Sequence, residues 1–252
     1  DCLCYGNPEV PEQFWDFAKG VEGLAEAANK ICVKGTDEAV PFVAGNVSFY
    51  NESTEGKSID PSPIVACLGK LDDYSKAITT KIKKKGTSLY LVGPRKDELG
   101  GSAYYETLGK LGKNVPVIDY GLEKGMIYGV TDAIDKRLLL SCHDISDGGV
   151  VVAVAEMILG KGDGKIGAKL LFNDELRADK ILFSESSGFV FELEKENAKE
   201  VEEIFAKYNV DMFKIGSTEG DSLLVTYQDK EIIDVDITKM KDAWLNGFTE
   251  VL

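Results

Sequence analysis

The sequence is poor in histidine and in positive charge. Its 252 residues include one histidine, His143, and 29 lysines and arginines against 43 aspartates and glutamates, which gives a net charge of -14. A chain this acidic lacks the positive field that attracts nucleic acids or anionic lipids, so we predict that it binds neither. His143 also has no cysteine or serine partner in a recognisable nucleophile motif, which makes base catalysis by this residue a weak hypothesis.

Long apolar runs and paired cysteines are also missing. The apolar run at 150–155 is far shorter than the roughly 20 residues of a membrane-spanning helix, so we expect no membrane span. The first ten residues, DCLCYGNPEV, lack the pattern of a secretory signal. The C-x-C at Cys2 and Cys4 has no later partner at a zinc-like spacing, and no CxxC pair occurs. We therefore expect reduced, mostly buried thiols, no structural zinc site and a cytoplasmic location.

Apolar periodicity predicts alternating strands and helices. Residues 11–32 carry apolar side chains at three- and four-residue spacing, which is typical of an amphipathic helix. Shorter apolar segments predict strands at 2–5, 40–43, 63–68, 88–92, 138–142, 189–193, 223–227 and 232–237, and helices at 102–111, 126–133, 150–159 and 194–208. This alternation favours an α/β or α+β layered fold. The charged segment 72–85 predicts a short helix and linker, and a boundary between domains at 1–84 and 85–252.

A glycine, an asparagine and a serine follow the strand predicted at 40–43. Gly45 would let a phosphate approach the backbone, and the Asn46 amide oxygen is a suitable ligand for Mg²⁺. The Ser48 hydroxyl could donate to a phosphate or a carbonyl. Asp1 could hold a metal-bound nucleotide at the end of the first strand. The alternative is an ordinary strand end with turn residues and a surface charge.

A second candidate is the segment HDISDGG at 143–149, between a predicted strand and a predicted helix. The positive end of the helix dipole could hold a phosphate near Ser146, and Asp144 could bind Mg²⁺. The alternative is that Ser146 or Asp147 simply caps the helix. The segment DELGGS at 97–102 likewise predicts an anion cradle or a capped helix. Neither a complete Walker A motif nor a GxGxxG after a strand is present.

Five segments together resemble a known family. They are DCLCYGNPEVPEQFW, VPFVAGNVSFYNE, LVGPRKDELGGSAYYE, SCHDISDGGVVVAVAE and LFSESSGFVFEL. In this order they look like the second half of phosphoribosylformylglycinamidine synthase, the large synthetase subunit, within the aminoimidazole ribonucleotide synthetase-like superfamily. The resemblance implies a truncated N-terminal-type, ATP-binding-type domain at 1–84, followed by a complete C-terminal-type α/β domain at 85–252.

The resemblance also implies a reaction and its ligands. The family is an ATP-dependent C–N ligase of purine biosynthesis, which converts formylglycinamide ribonucleotide and glutamine-derived ammonia to formylglycinamidine ribonucleotide, ADP and phosphate. By analogy, Asp1 and Gly45 would contact ATP, Asn46 would bind Mg²⁺ and Ser48 would contact the ribonucleotide. Residues Asp144 and Ser146 would serve an auxiliary nucleotide or metal site. Three positions depart from the family pattern, where Asn, Phe and Gly are expected: Cys4, Tyr5 and Ala44.

The family's catalytic residues lie in its first half. We therefore expect no catalytic residue in this chain, and a C-terminal fragment that is inactive alone. The implied partners are the missing N-terminal half, a glutaminase subunit and a small accessory subunit. An incomplete sheet exposes an unpaired edge, so we also predict a homodimer, formed either through that edge or through the family's own domain-pairing surface. Two alternatives stay open: a non-catalytic nucleotide-binding or assembly module, and another ATP-dependent enzyme of the same superfamily.

Overall fold

The chain divides into two compact units. The structure, a computed structural model, describes residues 1–160 and 162–247; Lys161 and 248–252, which belong to the predicted second domain, lie outside the described residues. Unit 1 is Asp1–Asp72 and unit 2 is Asp73–Leu252, so the division falls twelve residues before the predicted boundary at 84/85. Residues 73–84 belong with unit 2 because Ile82 is buried in its core and donates its N–H to the Met157 carbonyl at 2.9 Å.

Unit 1 combines one long helix with a three-stranded sheet. The strands are β1 (Cys2–Cys4), β2 (Asn46–Ser48) and β3 (Ser62–Ile64), and the helix is α1 (Pro11–Ile31). The central strand β1 pairs in parallel with β2 and antiparallel with β3. Proline begins α1 because its fixed φ suits the first helical turn and its missing N–H is not needed there.

Aromatic rings attach α1 to the strands of unit 1. The Phe17 ring packs edge-on against Tyr5 at a centroid distance of 5.4 Å and against Phe49 at 5.0 Å. Tyr5 is 2% exposed, whereas no residue of α1 is buried. Unit 1 therefore holds together through a small aromatic cluster.

Unit 2 contains a seven-stranded sheet with the order β10-β9-β6-β8-β4-β7-β5. Every neighbouring pair is antiparallel except β6 and β9, which are parallel. The strands are β4 (Ser88–Val92), β5 (Leu139–Asp144), β6 (Ala168–Phe172), β7 (Phe189–Leu193), β8 (Met212–Thr218), β9 (Ser222–Tyr227) and β10 (Lys230–Asp236). The helices are α2 (Ala103–Thr107), α3 (Tyr120–Asp135), α4 (Gly149–Leu159), α5 (Ala178–Phe183), α6 (Ala198–Ala206) and α7 (Ile237–Asn246), with 3-10 turns at Tyr74–Lys76 and Lys195–Asn197.

Two apolar clusters cover the two faces of this sheet. Successive strand residues point to opposite faces, so Val190 joins the cluster around α4 whereas Phe191 joins the cluster around α3 and α6. Phe191 stacks on Phe205 of α6 at a centroid distance of 5.5 Å. The predicted α/β class is therefore confirmed. Among the described residues, no helix combines the length and the apolarity needed to cross a membrane.

Several predicted elements agree closely with the structure. The strands at 88–92 and 189–193 and the helix at 11–32 are confirmed to within one residue. The strand predicted at 40–43 is wrong: Val40 donates its N–H to the Ala28 carbonyl of α1 at 3.0 Å, and the strand begins at Asn46 instead. The helix predicted at 102–111 is shorter, ending at Thr107. Four elements were not predicted: β6, α5, β8 and α7.

Candidate functional site

The sheet of unit 1 places Asn46 and Ser48 on one face. Strands β1 and β2 pair with Cys2 opposite Asn46 and Cys4 opposite Ser48. Because residues in register on neighbouring strands point to the same face, all four side chains share it. Tyr5, which alternates with Cys4, lies on the other face, where it contacts α1. The candidate residues therefore lie on the face turned away from α1.

Asp1 and Gly45 lie together just before β1 and β2. A Cβ atom on Gly45 would lie 1.9 Å from Oδ1 of Asp1, so any larger residue would displace that carboxylate. The Asn46 N–H also donates to the Asp1 carbonyl at 3.2 Å. Gly45 was predicted to follow a strand, whereas it precedes one. The close approach that it permits is to the carboxylate of Asp1.

Asn46 and Ser48 differ in how firmly they are held. Asn46 is exposed, and its amide nitrogen donates to the Cys2 sulfur at 3.3 Å, so its amide oxygen is the atom able to face an ion. Ser48 is half-buried and donates to Oδ1 of Asn51 at 3.1 Å. Asn51 in turn donates to the Tyr5 and Ser48 carbonyls, both at 2.9 Å. Asn51, for which the sequence predicted no role, therefore fixes the position of Ser48.

The donor atoms of unit 1 fit a magnesium ion that is carried by phosphates. Mg²⁺ prefers oxygen ligands, keeps several waters and commonly takes one or two protein groups together with substrate phosphates. The Asp1 carboxylate and the Asn46 amide are donors of this kind. Within 1–160 and 162–247, no group of three or more His, Cys, Asp and Glu side chains is placed to hold a metal. An ion here would therefore depend on a nucleotide for its remaining ligands.

The second predicted site lies in unit 2, where β5 meets α4. Asp144 ends β5 and Ser146 follows it, and both side chains are exposed. Neither Ser146 nor Asp147 caps α4: the capping position is Gly148, which makes no side-chain bond. Gly148 and Gly149 have φ angles of +80° and +74°, a region that other residues rarely adopt. The capping alternative is therefore wrong, and the two glycines form the turn.

A carboxylate already occupies the start of α4. Oε1 of Glu185 accepts the N–H of Gly148 and the N–H of Ala103, both at 2.8 Å. These groups belong to the two helix N-termini at which an anion was predicted, around 97–102 and 143–149. Ser102 caps α2 by accepting the N–H of Tyr105 at 3.2 Å. Glu185 lies in LFSESSGFVFEL, one of the five segments that carry the resemblance, but its neighbours in sequence predict no role for it.

His143 and Cys142, on β5, are not arranged for nucleophilic chemistry. Nε2 of His143 lies 3.0 Å from Oε2 of Glu156, and Nδ1 lies 3.3 Å from Oδ1 of Asp144. Burial, with a smaller contribution from the Asp144 charge, raises the pKa of the Cys142 thiol to about 12. A thiol that stays protonated is a poor nucleophile. The prediction of mostly buried thiols is wrong, since Cys67 is exposed and the other four are half-buried.

Unit 2 also contains a cavity of about 280 Å³. Its lining includes one lysine, Lys96, and four carboxylate residues, Glu98, Asp119, Glu123 and Glu185. Arg95, which is not part of the lining, donates to the Ser186 and Ser187 carbonyls, both at 2.6 Å. Burial lowers the pKa of Arg95 to about 10. The excess of carboxylates makes this cavity unsuitable for a phosphate group.

Comparison with protein families places the chain. The family model described as "AIR synthase related protein, C-terminal domain" matches residues 84–227, which is more than half of the sequence. The chain belongs to this family. Over the whole chain it is 44% identical to phosphoribosylformylglycinamidine synthase subunit PurL of Methanothrix thermoacetophila, and over 97% of the chain it is 35% identical to PurL of Alkaliphilus metalliredigens. It spans about a third of the length of these curated relatives, 33% and 32%.

Solved structures confirm the fold expected of an AIR synthase relative. T. maritima PurL complexed with FGAR superposes with a TM-score of 0.70 over 95% of this chain and 39% of that protein, at 17% identity. T. maritima PurL complexed with ATP gives 0.64 over 95% and 37%. At this identity the likeness concerns the fold. The predicted superfamily fold is confirmed, and the sequence relatives are those that the five segments indicated.

Proposed function

We propose that this chain is the C-terminal third of a PurL-type phosphoribosylformylglycinamidine synthase. The full protein would convert formylglycinamide ribonucleotide, ammonia and ATP to formylglycinamidine ribonucleotide, ADP and phosphate. One observation carries the proposal: the 44% identity to a PurL protein runs along the whole chain and covers 33% of that protein. The T. maritima structures described as complexes with ATP and FGAR support the same ligand classes.

In this proposal, unit 1 supplies contacts to the nucleotide and the substrate. Asp1 and Gly45 would contact ATP, Asn46 would bind Mg²⁺ and Ser48 would contact the ribonucleotide. The support is the placement of all four at neighbouring strands, with Asp1 against Gly45 and with Asn46 and Ser48 on one face. When bound, Mg²⁺ would neutralise charge on the triphosphate. The residues of this chain would orient the nucleotide, and none of them would transfer a proton or act as a nucleophile.

The remaining two thirds of the protein would supply the catalytic residues. The proposed partners are therefore that N-terminal portion, a glutaminase subunit and a small accessory subunit. A homodimer of the chain through an edge of the unit 1 sheet also stays a prediction, as does the cytoplasmic location. The short edge strands β2 and β3, of three residues each, are where such a dimer would pair.

Complementation tests the proposed function. The chain alone, supplied with formylglycinamide ribonucleotide, ATP, Mg²⁺ and ammonia, should form no formylglycinamidine ribonucleotide. Adding a separately produced N-terminal portion of a PurL relative should restore product, measured by chromatography. The N-terminal portion alone serves as the control. Turnover by the chain alone would contradict the assignment of the catalytic residues, and no product from the mixture would contradict the proposed role of the chain.

Calorimetric titration in the complemented protein tests the ligand contacts. Asn46→Ala should weaken binding of Mg²⁺–ATP by at least about tenfold, since a lost charge-assisted contact costs about 1.5–3 kcal/mol. Asn29→Ala, at the exposed end of α1 in the same unit, is the matched control and should bind as the unaltered chain does. Equal affinity in the two variants would exclude Asn46 as a ligand.

We also propose Asp144 and Ser146 as an auxiliary nucleotide or metal site. Their exposed side chains at the β5–α4 junction support it, although Glu185 already accepts the Gly148 N–H. A ligand would therefore contact the two side chains rather than the helix amides. Asp144→Ala should lower the number of nucleotides bound per chain while its neighbour control, Asp147→Ala, leaves it unchanged. The same stoichiometry in both variants would exclude this site.

A further inference from the structure

We propose that Cys2 and Cys4 form a binding site for a thiophilic divalent cation of the Zn²⁺ and Cd²⁺ class. The two side chains leave the same face of β1, and their sulfur atoms lie 3.7 Å apart. Both are half-buried, so the pair is neither sealed in a core nor fully solvated. This site is separate in chemistry from the proposed magnesium contact, and the inference does not rest on the proposed function.

The separation of the sulfurs matches a shared tetrahedral ion. Zinc–thiolate bonds are about 2.3 Å long, and two of them at the tetrahedral angle place their sulfurs about 3.8 Å apart. The two thiols are therefore already at the spacing of a bidentate ligand, and β1 does not have to move. Two thiolates would also balance the charge of a dication, and their softness favours Zn²⁺ over Mg²⁺.

The same geometry disfavours a disulfide. Alternate residues of a strand are about 6.7 Å apart along its axis. A disulfide requires Cβ atoms within about 4.5 Å of each other. Strand β1 pairs with a neighbour on each side, at Cys2 with Asn46 and Ile64, so it cannot shorten without losing its ladder bonds. An ion can bridge this pair of thiols where a covalent bond between them would break the strand.

The surroundings provide access and support for the site. Both thiols lie on the face turned away from α1, as the alternation with Tyr5 shows. The neighbours in register with Cys2, Asn46 and Ile64, are exposed, so an ion has a path to the sulfurs. The Asn46 amide donates to the Cys2 sulfur at 3.3 Å. Such a donor stabilises a metal-bound thiolate and fixes its orientation.

Two protein ligands distinguish this site from a structural zinc centre. Structural sites use four protein ligands, and no described group of three or more His, Cys, Asp and Glu includes this pair. The remaining two positions would be filled by water or by another molecule. We therefore expect reversible binding that folding does not require. The C-x-C motif alone did not suggest it, because the sulfur separation depends on both residues lying in one extended strand.

Cadmium titration of the reduced, metal-free 252-residue chain tests the inference. The sulfur-to-cadmium charge-transfer absorption should rise to one ion per chain, and Zn²⁺ should displace it while excess Mg²⁺ does not. Cys2→Ser and Cys4→Asn, the latter introducing the residue expected of the family, should each weaken binding by at least about tenfold. Cys67→Ser is the matched control and should titrate like the unaltered chain.

Circular dichroism of each variant establishes that it is folded. If Cys2→Ser fails to fold, Cys4→Asn alone decides, since Asn is the residue expected there. Unchanged cadmium binding in a folded Cys4→Asn chain would overturn the inference. So would a reduced chain that binds no cadmium. A disulfide between these two cysteines, seen as the loss of two hydrogens from the chain before reduction, would also overturn it. The cadmium titration contains no nucleotide, so its outcome does not decide nucleotide binding and the two proposals can fail separately.

Discussion

The two units bury their apolar side chains to very different extents. In unit 2, two clusters cover both sheet faces, and rings such as Phe191 and Phe205 are completely buried. In unit 1, Tyr5 is the one buried apolar side chain among the described residues, while Val43 and Leu68 are 82% and 94% exposed. Unit 2 is therefore stabilised by its own core. Unit 1 exposes apolar surface of the kind that proteins usually cover with another surface.

The two units also differ in where their polar side chains lie. Glu192 of unit 2 is completely buried, and its carboxylate accepts from the Lys83 and Lys84 N–H groups at 2.8 and 3.0 Å. The Thr87 and Ser141 hydroxyls donate to it at 2.7 and 3.0 Å. In unit 1 the polar groups of interest lie on an exposed sheet face instead. The polar groups buried in unit 2 therefore bond to one another, whereas Asn46 of unit 1 keeps an exposed side chain.

The sharpest test of this comparison substitutes one phenylalanine in each unit. Phe205→Ala should lower the free energy of unfolding by about 4 kcal/mol, because it opens a cavity in a closed core. Phe17→Ala should cost less than about 2 kcal/mol, because that ring is half-buried and its loss leaves an open groove. Urea unfolding followed by circular dichroism measures both. Equal losses would show that unit 1 is as tightly packed as unit 2.

The buried carboxylate gives the next largest effect. Glu192→Ala should destabilise the chain by about 3 kcal/mol, because it removes an acceptor from two part-buried N–H groups and from the buried hydroxyls of Thr87 and Ser141. Glu202→Ala, on the exposed side of α6, is the matched control and should change stability by less than about 0.5 kcal/mol. The midpoints of urea unfolding of the two variants measure this difference. A midpoint for Glu192→Ala close to that of the control would mean that water replaces the carboxylate.

Removing Glu185, which bonds to N–H groups at the N-termini of both α2 and α4, should lower the free energy of unfolding by a smaller amount. Glu185→Ala should cost about 1–2 kcal/mol, the usual effect of removing an acceptor from a helix N-terminus. Glu175→Ala, an exposed glutamate of the same unit, should be neutral. Thermal unfolding compares the two. An unchanged melting temperature for Glu185→Ala would show that solvent satisfies the Ala103 and Gly148 N–H groups equally well.

The cysteines of the two units should differ in reactivity. With its pKa raised to about 12, Cys142 should hold roughly two thousandfold less thiolate at pH 8 than an ordinary thiol, whose pKa is near 8.5. It should therefore react with iodoacetamide far more slowly than the exposed Cys67 of unit 1, as peptide mass spectrometry would show. The neutral thiol favours the folded state below pH 9, and this contribution is lost as the pH rises towards 12. Similar labelling rates would mean that β5 opens readily.

The sequence correctly predicted those helices and strands whose formation depends on their own local pattern of apolar residues. The apolar runs at 88–92 and 189–193 become central strands because both sides of each are covered. The segment 40–43 is equally apolar, yet it bonds to α1, a distant contact that no local pattern reveals. Strand β8, which contains Lys214 and Gly216, was missed because its polar residues hide the alternation.

For the candidate sites, too, the sequence did not reveal contacts between residues that are distant along the chain. Gly45 and Asn46 were identified from their residue types, and the structure adds that Asp1 lies against Gly45 and Cys2 against Asn46. Glu185 could not be found from its neighbours in sequence. The two amides that it binds, of Ala103 and Gly148, are 82 and 37 residues away from it. Partners so far apart along the chain meet through the fold.

The carboxylate of Glu185 has a consequence beyond its own two bonds. One oxygen atom accepts the N–H of Ala103, the first residue of α2, and the N–H of Gly148, the residue just before α4. A group that displaces Glu185 from one of these helices therefore displaces it from the other as well. An acidic group that accepted the Gly148 N–H in place of Glu185 would displace this carboxylate. The Ala103 N–H would then lose its acceptor at the same time. The turns before α2 and α4, which are far apart along the chain, would thus both respond to the displacement of one side chain. No domain movement would be needed.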